Sequence, residues 1–315
     1  MAPEGHGRQS GHARDSLDVP RDGLLTGTVC DVPTKALRRG LTPVVIVVVI
    51  ALAVAGYFVF KQAKPLLLSG SGCQAGTGHK TVLLDPEQAS IAATIAGVAH
   101  QREMPRRAVV VAFAAALQES KMHNLSYGDR DSVGVFQQRP SEGWGPASRL
   151  KDPVYASGRF FEALAGVPDY IHKPVYRAAQ AVQHSADGSA YVRYQPEAIT
   201  LAADFTGRRA HAVWCWSAAA DPTRANLTAA RRELAHAFGP MGSHRAATPG
   251  DDPSMLVRVP RPAVGWAVAT WLVTHAGSYG IHDVHYAGFH WRLSSGSSGW
   301  RPDKGQTRPD VVRAS

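Results

Sequence analysis

The chain has 315 residues, of which 44% are hydrophobic and 19% charged, and its formal net charge is +9. This composition is typical of a globular protein, and the length allows one or two domains with flanking segments. The charge suits an acidic polymer, but without a glycine-rich phosphate loop, paired CxxC motifs or an RNA-binding aromatic signature, nothing besides charge favours nucleic acid.

The N-terminal part predicts a membrane anchor. Residues 1–40 are polar and predict a disordered tail, whereas residues 41–60 contain no charge. A helix of this length spans about 30 Å, the thickness of the hydrocarbon core of a bilayer. A cleaved signal peptide is disfavoured because the apolar run is too long and no small-x-small site follows it closely. Basic residues favour a cytoplasmic N-terminus only slightly, and residues 61–80 are predicted to tether the domains that follow.

The region 81–238 predicts a helical domain. Asp85 can cap a first helix whose Gln88 completes a capping box, and apolar residues follow at helical spacing. Pro105 begins a second helix, in which residues 108–117 are apolar on all sides, as in a central core helix. Further helices are predicted to start at Asp152-Pro153 and at Pro174, and another is predicted over 191–205.

The C-terminal part predicts a linker and a small module. Residues 239–254 are rich in Gly and Pro, and residues 255–315 suggest an α+β unit. This unit has an amphipathic helix at 263–275, a strand-turn-strand around 286–289 and a polar tail. Its histidines fit strand alternation better than a metal site, because no cysteine or suitably spaced carboxylate joins them: His282, His285 and His290. We predict no metal and no cofactor.

Glu119 is the residue whose position points to chemistry. It ends a helix that is otherwise wholly apolar, and both the apolar surrounding and the helix C-terminus favour the protonated form of its carboxyl group. A protonated carboxylic acid is what glycosidic cleavage needs, because the leaving oxygen must receive a proton. A charged residue at a helix end is also common without any catalytic role.

The residues around Glu119 favour the catalytic interpretation. The segments 116–120 (ALQES), 128–132 (GDRDS) and 134–141 (GVFQQRPS) resemble the lysozyme-like superfamily, in particular the lytic transglycosylases. They are most similar to a group of membrane-anchored actinobacterial proteins, over about residues 73–220. The resemblance implies a mainly α fold: an α+β lysozyme-like domain with a small β-hairpin, preceded by one transmembrane helix and followed by a small α+β unit.

The resemblance also implies roles for particular residues. Glu119 would be the general acid and base, and Ser120 and Gln137 would position it and the substrate. Contacts with the sugar chain are expected from residues in or near these segments: Phe136, Gln138, Arg139, Trp144, Tyr155 and Tyr191. The aromatic members of this set could stack on sugar faces, although aromatic residues at such positions are more often part of the core. A later Tyr-Asn-Ala-Gly segment, usual in lytic transglycosylases, is absent from this sequence.

Three alternatives stay open at this point. Asp129 or Asp131 could act as a second carboxylate that activates water, which would make the protein a muramidase, although such residues in a turn mostly bond backbone donors. The domain could instead bind peptidoglycan as a scaffold without cutting it, since a fold can lose catalysis and keep binding. Metal-ion transport is disfavoured, because a single span without a charge cannot form a pathway by itself.

The family resemblance also implies a disulfide between Cys73 and Cys215. The lysozyme-like fold is expected to bring its first and last helices together, which would let the bridge join the two ends of the domain. Disulfides need an oxidising compartment, so this pair favours an extracytoplasmic domain and leaves Cys30 as a cytoplasmic thiol. The predicted partners are therefore peptidoglycan strands and membrane lipid, without nucleic acid.

The C-terminal module also resembles, weakly, the closing part of secreted actinobacterial domains related to zinc-dependent wall peptidases. Those domains end in an Asp-His-x-His-x-Ser run that supplies metal ligands. Residues 310–315 of this chain read DVVRAS, so both histidines are replaced. An inert wall-binding or packing module is the interpretation we favour.

Overall fold

The computed structural model describes residues 70–77, 80–185, 188–217, 225–246, 253–305 and 308–315. The tail predicted at 1–40 and the span predicted at 41–60 lie outside these ranges. Within them, no helix is both long enough and apolar enough to cross a membrane. The described residues form one compact unit of mixed α+β structure.

Nine α-helices occur in the described part of the chain. They are α1 (Pro86–Gln101), α2 (Arg106–Ser120), α3 (Ala147–Leu150), α4 (Pro153–Ala165), α5 (Val175–Gln183), α6 (Gln195–Phe205), α7 (Leu227–Phe238), α8 (Pro262–Thr274) and α9 (Ala276–Tyr279). Short 3-10 helices cover Pro140–Glu142, Ser189–Tyr194 and Leu293–Ser298. The helix predicted over 191–205 is thus a 3-10 turn followed by α6.

The first two helices form for the reasons that the sequence indicates. Asp85 accepts a hydrogen bond from the Gln88 amide at 2.9 Å, and the Gln88 side chain accepts one from the Asp85 amide at 3.0 Å, which completes the predicted capping box. Pro105 precedes α2, whose residues 108–117 are all buried. The prediction of a central core helix is confirmed: α2 contacts α1, α4, α5 and α6.

A three-stranded antiparallel sheet joins the two ends of this helical part. Its strands are β1 (Gly72–Thr77), β2 (Lys80–Leu84) and β3 (Val213–Trp216), in the order β2-β1-β3. The prediction of a tether over 61–80 is therefore wrong for β1 and for the start of β2. Strand β1 has only six residues, and two of them are glycines. Its alternation of apolar and polar residues is too weak for it to be recognised as a strand without its partners.

The predicted disulfide is present. Cys73 on β1 lies directly opposite Cys215 on β3, the S–S distance is 2.03 Å and the Cα atoms are 3.9 Å apart. The prediction that helices bring the two cysteines together is wrong, since paired strands do so. Both cysteines are buried, at 1% and 6% exposure respectively.

The C-terminal residues build a second antiparallel sheet of six strands. These are β4 (Ser243–Ala246), β5 (Ser254–Arg258), β6 (Asp283–Tyr286), β7 (Phe289–Arg292), β8 (Arg301–Pro302) and β9 (Val311–Ala314), in the order β4-β5-β9-β6-β7-β8. The strand-turn-strand prediction is confirmed by β6 and β7. The predicted linker at 239–254 contains β4 and the start of β5, and the predicted polar tail contains β9, which lies inside the sheet between β5 and β6.

Helix α8 connects the helical part to the six-stranded sheet. It contacts α1 and α6 on one side and β6 and β9 on the other. Every residue of α8 from Val264 to Thr274 is buried, so the amphipathic character predicted for 263–275 is not found. The small module thus packs against the helical part, and two tryptophans reinforce the contact by donating to β3: Trp291 Nε1 to the Cys215 carbonyl at 2.9 Å and Trp300 Nε1 to the Val213 carbonyl at 2.7 Å.

Gly207 lies where the chain after α6 passes close to the backbone of α8. Its φ is +68°, and an added Cβ would lie 2.0 Å from the Ala263 carbonyl oxygen and 2.7 Å from the Ala267 nitrogen. We expect Gly207→Ala to destabilise the protein by about 1–3 kcal/mol or more, because two backbone atoms must move and the φ is unfavourable. Urea unfolding measures this. Gly277→Ala, where nothing lies within 4 Å of the added Cβ, should change stability little, and equal effects would contradict the packing.

Asp204 gives the fold a pH dependence. Its side chain on α6 is fully buried, and burial raises its pKa to about 7 although the Arg209 charge acts in the opposite direction. Arg209 Nε lies 2.6 Å from Asp204 Oδ1, but the two groups are not aligned for a hydrogen bond. A carboxyl group whose folded pKa is raised stabilises the fold below its unfolded pKa, and this contribution is lost as the pH rises through the folded pKa.

We therefore expect stability to fall between about pH 4 and pH 7, by an amount on the order of a few kcal/mol at the upper limit. Asp204→Asn, which resembles the protonated acid, should remove most of this decline. Urea unfolding at several pH values measures it. Asp129→Asn at an exposed position is the matched control, and an unchanged pH dependence in Asp204→Asn would contradict the assignment.

Candidate active site

A polar cleft of about 300 Å³ opens at the C-terminal end of α2. One wall is the end of α2 with Glu119, a second is the loop 137–144, and the third is formed by the end of α5 and the start of the 3-10 helix Ser189–Tyr194. Five residues predicted from the sequence besides Glu119 line it: Gln137, Gln138, Arg139, Trp144 and Tyr191. The fold therefore brings together side chains that are up to 72 positions apart.

Glu119 is half-buried and is held by one tyrosine. The Tyr191 hydroxyl donates to Glu119 Oε1 at 2.6 Å, and Tyr191 itself is only 2% exposed. Burial, together with the bond to the Glu119 carboxylate, raises the pKa of Tyr191 far above its usual range. The tyrosine therefore remains a hydrogen-bond donor at any physiological pH. A donor at this distance fixes one carboxylate oxygen and leaves the other for a ligand.

Ser120 holds the backbone behind the cleft. Its hydroxyl donates to the Val135 carbonyl at 2.7 Å and accepts from the His123 amide at 3.1 Å. The side chain is 6% exposed and does not line the cleft. The structure thus places Ser120 as a link between the end of α2 and the following loop, where it fixes the backbone that carries Glu119.

The start of α1 supports the same loop from the other side. Gln88 Nε2 donates to the Lys121 carbonyl at 2.9 Å, and Glu87 Oε1 accepts from the Asn124 amide at 3.0 Å. His123 Nε2 lies 2.8 Å from Asp85 Oδ2. Although burial opposes protonation of His123, the hydrogen bond and charge of Asp85 outweigh it and raise its pKa. The capping residues of α1 therefore also position the residues that follow Glu119.

Two glutamines face the cleft from the loop opposite Glu119. The predicted β-hairpin in this loop is reduced to one β-bridge, between Val133 and Gln138. Gln137 has a φ of +48° and donates to the Gly134 carbonyl at 3.1 Å. Gln138 is 2% exposed and donates to the Ala156 carbonyl at 3.3 Å, while its side-chain oxygen has no protein partner among the described residues. The loop is too tightly turned by its left-handed residues to extend into paired strands.

Neither aspartate considered as a second carboxylate lines the cleft. Asp129 is exposed, and its backbone carbonyl accepts from Ser132. Asp131 accepts from the Ser141 amide at 2.8 Å, the Ser141 hydroxyl at 2.9 Å and Arg139 Nε at 3.0 Å. The Ser141 bonds and then the Arg139 bond lower the pKa of Asp131 to about 2. Asp131 is therefore occupied in fixing the loop, rather than available to activate water beside Glu119.

The aromatic residues divide between the cleft and the core. Phe136 is fully buried, and its ring stacks on Phe160 with centroids 4.5 Å apart, so it cannot contact a ligand. Tyr155 lies behind the cleft, where its hydroxyl donates to the Trp144 carbonyl at 3.3 Å. Trp144 itself lines the cleft and is half-buried. It is the aromatic ring best placed to pack on a sugar face.

Several residues of the cleft were not predicted from the sequence. These are Gln118, Glu142, Gln183, His184, Ser185 and Ala190. Glu142 pairs with Arg139, and Gln183 Nε2 donates to the Phe136 carbonyl at 2.7 Å. The family resemblance covers residues 178–191, and this is the sequence signal for Gln183 and His184. Two carboxylates line the described part of the cleft, and one of them, Glu142, is paired with Arg139. The other, Glu119, has no cationic partner among the described residues.

The histidines of the C-terminal module lie close to an aspartate and to each other. His285 Nδ1 lies 2.7 Å from Asp303 Oδ2, and its ring stacks near that of His290. Among the described residues, no group of three His, Cys, Asp or Glu side chains is arranged to hold a metal ion.

Comparison with protein families and with curated proteins gives no match, so the function has to be inferred from the chemistry of the cleft. No model of a protein family matches the chain. No curated protein is significantly similar to it.

Proposed function

We propose that the protein is a membrane-anchored peptidoglycan glycosidase with a lysozyme-like domain, and that it acts as a lytic transglycosylase with Glu119 as general acid and base. The observation that carries the proposal is one half-buried carboxyl group at the end of a buried helix, opening into a polar cleft. A glycan strand offers hydroxyl and amide groups, which match the glutamines of this cleft. Muramidase chemistry with Asp129 or Asp131 as base is less favoured, because both lie outside the cleft lining.

In the proposed reaction the Glu119 carboxyl group acts first as an acid and then as a base. In its acid form Glu119 gives its proton to the glycosidic oxygen, and the bond from that oxygen to the sugar C1 breaks. The sugar that carries this C1 is the muramic residue. The resulting carboxylate then accepts the proton of the C6 hydroxyl of that residue, and the C6 oxygen forms a bond to C1. The products are a strand with a free hydroxyl and a strand ending in a 1,6-anhydro sugar. No water enters the reaction, so no second carboxylate is needed.

The proposed location rests on the predicted anchor and on the disulfide. Residues 41–60 would cross the cytoplasmic membrane once, with residues 1–40 inside the cell. The Cys73–Cys215 bridge supports an extracytoplasmic position for the cleft, since disulfides persist in oxidising compartments. The six-stranded module would act as a packing or wall-binding unit. Its close contact with α1 through α8 favours packing as its main role.

A second candidate, glycan binding without cleavage, is favoured by the Tyr191 bond. The Tyr191 hydroxyl occupies Glu119 Oε1, so this oxygen holds the side chain in place and does not contact the glycosidic oxygen of a substrate. The sequence also has no Tyr-Asn-Ala-Gly segment to orient the strand. A scaffold of this kind would hold peptidoglycan near the membrane with the same cleft.

The full-length chain in detergent, incubated with isolated cell-wall sacculi, separates the two candidates. We expect soluble glycan fragments to accumulate with the wild-type chain, and none above background with Glu119→Gln. Glu162→Gln makes the same chemical change at an exposed position on α4 and should release fragments at the wild-type rate. Saturable sedimentation of the chain with sacculi and no release of fragments would select the binding protein instead.

A further inference from the structure

A second cavity lies at the opposite end of α2 from Glu119. It has a volume of about 320 Å³ and lies between the end of α1, the start of α2, the loop after α6 and the start of α8. Its wall is apolar, with Ala96, Ala99, Met104, Val109, Val264 and Ala267. Because Arg106 is the first residue of α2 and Glu119 is near its last, this cavity is separate from the candidate active site.

Three arginines and a histidine line this cavity: Arg106, Arg208, Arg261 and His100. No aspartate or glutamate is among its described lining residues. The three arginines are exposed at the rim, and within the described part of the chain none of them has a carboxylate within ion-pair distance. Arginines of the same charge around one cavity repel one another unless an anion lies between them.

The local backbone adds to the positive field. Helices α2 and α8 both begin at this cavity, and neither has a capping side chain or an acidic residue in its first turn. His100 is half-buried, and burial followed by the Arg261 charge lowers its pKa, while Glu103 acts in the opposite direction without lining the cavity. The Arg261 guanidinium is thus close enough to act on a group inside the cavity.

We propose that this cavity binds a phosphate ester, with the phosphoryl group held by Arg106, Arg208 and Arg261 and a small organic part against the apolar wall. Guanidinium groups match phosphate oxygens with paired hydrogen bonds, and three of them match a doubly charged group better than a single carboxylate. The ester could be soluble or could be the headgroup of an anionic lipid. The site is independent of the chemistry at Glu119.

Calorimetric titration of the full-length chain in a nonionic detergent tests the site. The probes are two phosphate monoesters, glycerol 3-phosphate and dihexanoyl-phosphatidic acid, with dihexanoyl-phosphatidylcholine as the lipid control without net charge. We expect at least one of the anionic probes to bind saturably, and the one with the lower Kd identifies the source of the ester. The double variant Arg106→Gln/Arg261→Gln should weaken that binding at least about tenfold, because each guanidinium supplies charge-assisted hydrogen bonds.

The matched control is Arg231→Gln/Arg301→Gln, which removes the same charge from exposed positions outside the cavity lining. It should bind the probe as the wild type does. A second measurement follows the His100 ring by NMR, where a bound phosphoryl group should raise the pKa of His100 by offsetting Arg261. Saturable binding to neither anionic probe, equal losses in the two double variants, or binding without an effect on His100 would each overturn the proposal.

Discussion

Replacing Glu119 by glutamine is expected to lower the rate of glycan cleavage by about 10²–10⁴-fold, the usual contribution of a general acid. Glutamine has nearly the same shape and can still accept the Tyr191 hydrogen bond, but its amide has no acidic proton that it could transfer to the glycosidic oxygen. The fold should be unaffected, because Glu119 is only half-buried and lies at the end of α2. The measurement is the initial rate of fragment release from sacculi, with thermal unfolding as the check on folding.

Three further variants decide which carboxyl group carries the reaction. Glu142→Gln alters the same cleft, but its carboxylate is already paired with Arg139, so we expect a loss below about tenfold. Asp129→Asn should have little effect. Asp131→Asn replaces one of the two acceptor oxygens that Ser141 and Arg139 share by an amide donor, and should lower the rate modestly by loosening the loop. A loss with Asp129→Asn or Asp131→Asn as large as that with Glu119→Gln would move the assignment to a muramidase.

Removal of the disulfide is expected to cause the largest loss of stability. The bridge joins residues 142 positions apart, and a closed loop of this length restricts the unfolded chain strongly, so the double variant Cys73→Ala/Cys215→Ala should lose about 2–5 kcal/mol. In a unit of this size that corresponds to a fall in Tm of roughly 10 °C. Thermal unfolding by circular dichroism measures it. Cys30→Ala is the matched control and should leave Tm unchanged.

The same cysteines test the predicted topology. Both bridge sulfurs are buried, so thiols are counted on the unfolded chain before and after reduction, and we expect one free thiol before and three after. On intact cells, an impermeant maleimide should leave Cys30 unlabelled and should label Lys304→Cys, an exposed position of the C-terminal module. Labelling of Cys30 from outside would reverse the orientation and remove the cleft from the cell wall.

Most of the longer helices, with the exception of α7, could be predicted from the sequence because their signals are local. Asp85 and Asp152 each accept a hydrogen bond from the first turn of the helix that they precede, as their positions before proline indicated. The short strands β1, β4 and β9 could not be recognised in this way. Each is stabilised by partners distant in the chain, such as Cys73 by Cys215 or Val312 by Val257, and four to six residues give no pattern of their own.

The residues of the cleft could likewise be predicted mainly where they lie close together in the sequence. Glu119 and Gln137 lie 18 positions apart in one segment that the sequence singles out, and both line the cleft. Phe136 stands beside Gln137 in the sequence but points into the core, where Phe160 from α4 covers it. Side-chain direction in a tight loop depends on its left-handed residues, which composition does not reveal. Gln183 and His184 enter from α5, and their contribution depends on how α5 packs on α2.

The end group of the released glycan tests the central proposal most directly. Sacculi digested by the full-length chain are separated by liquid chromatography and weighed by mass spectrometry. Intramolecular capture by the C6 hydroxyl, with Glu119 as acid and then base, predicts 1,6-anhydro ends that are lighter by one water than the products of hydrolysis and resist reduction by borohydride. Fragments with ordinary reducible ends would contradict a transglycosylase, and the absence of any fragment would contradict a glycosidase.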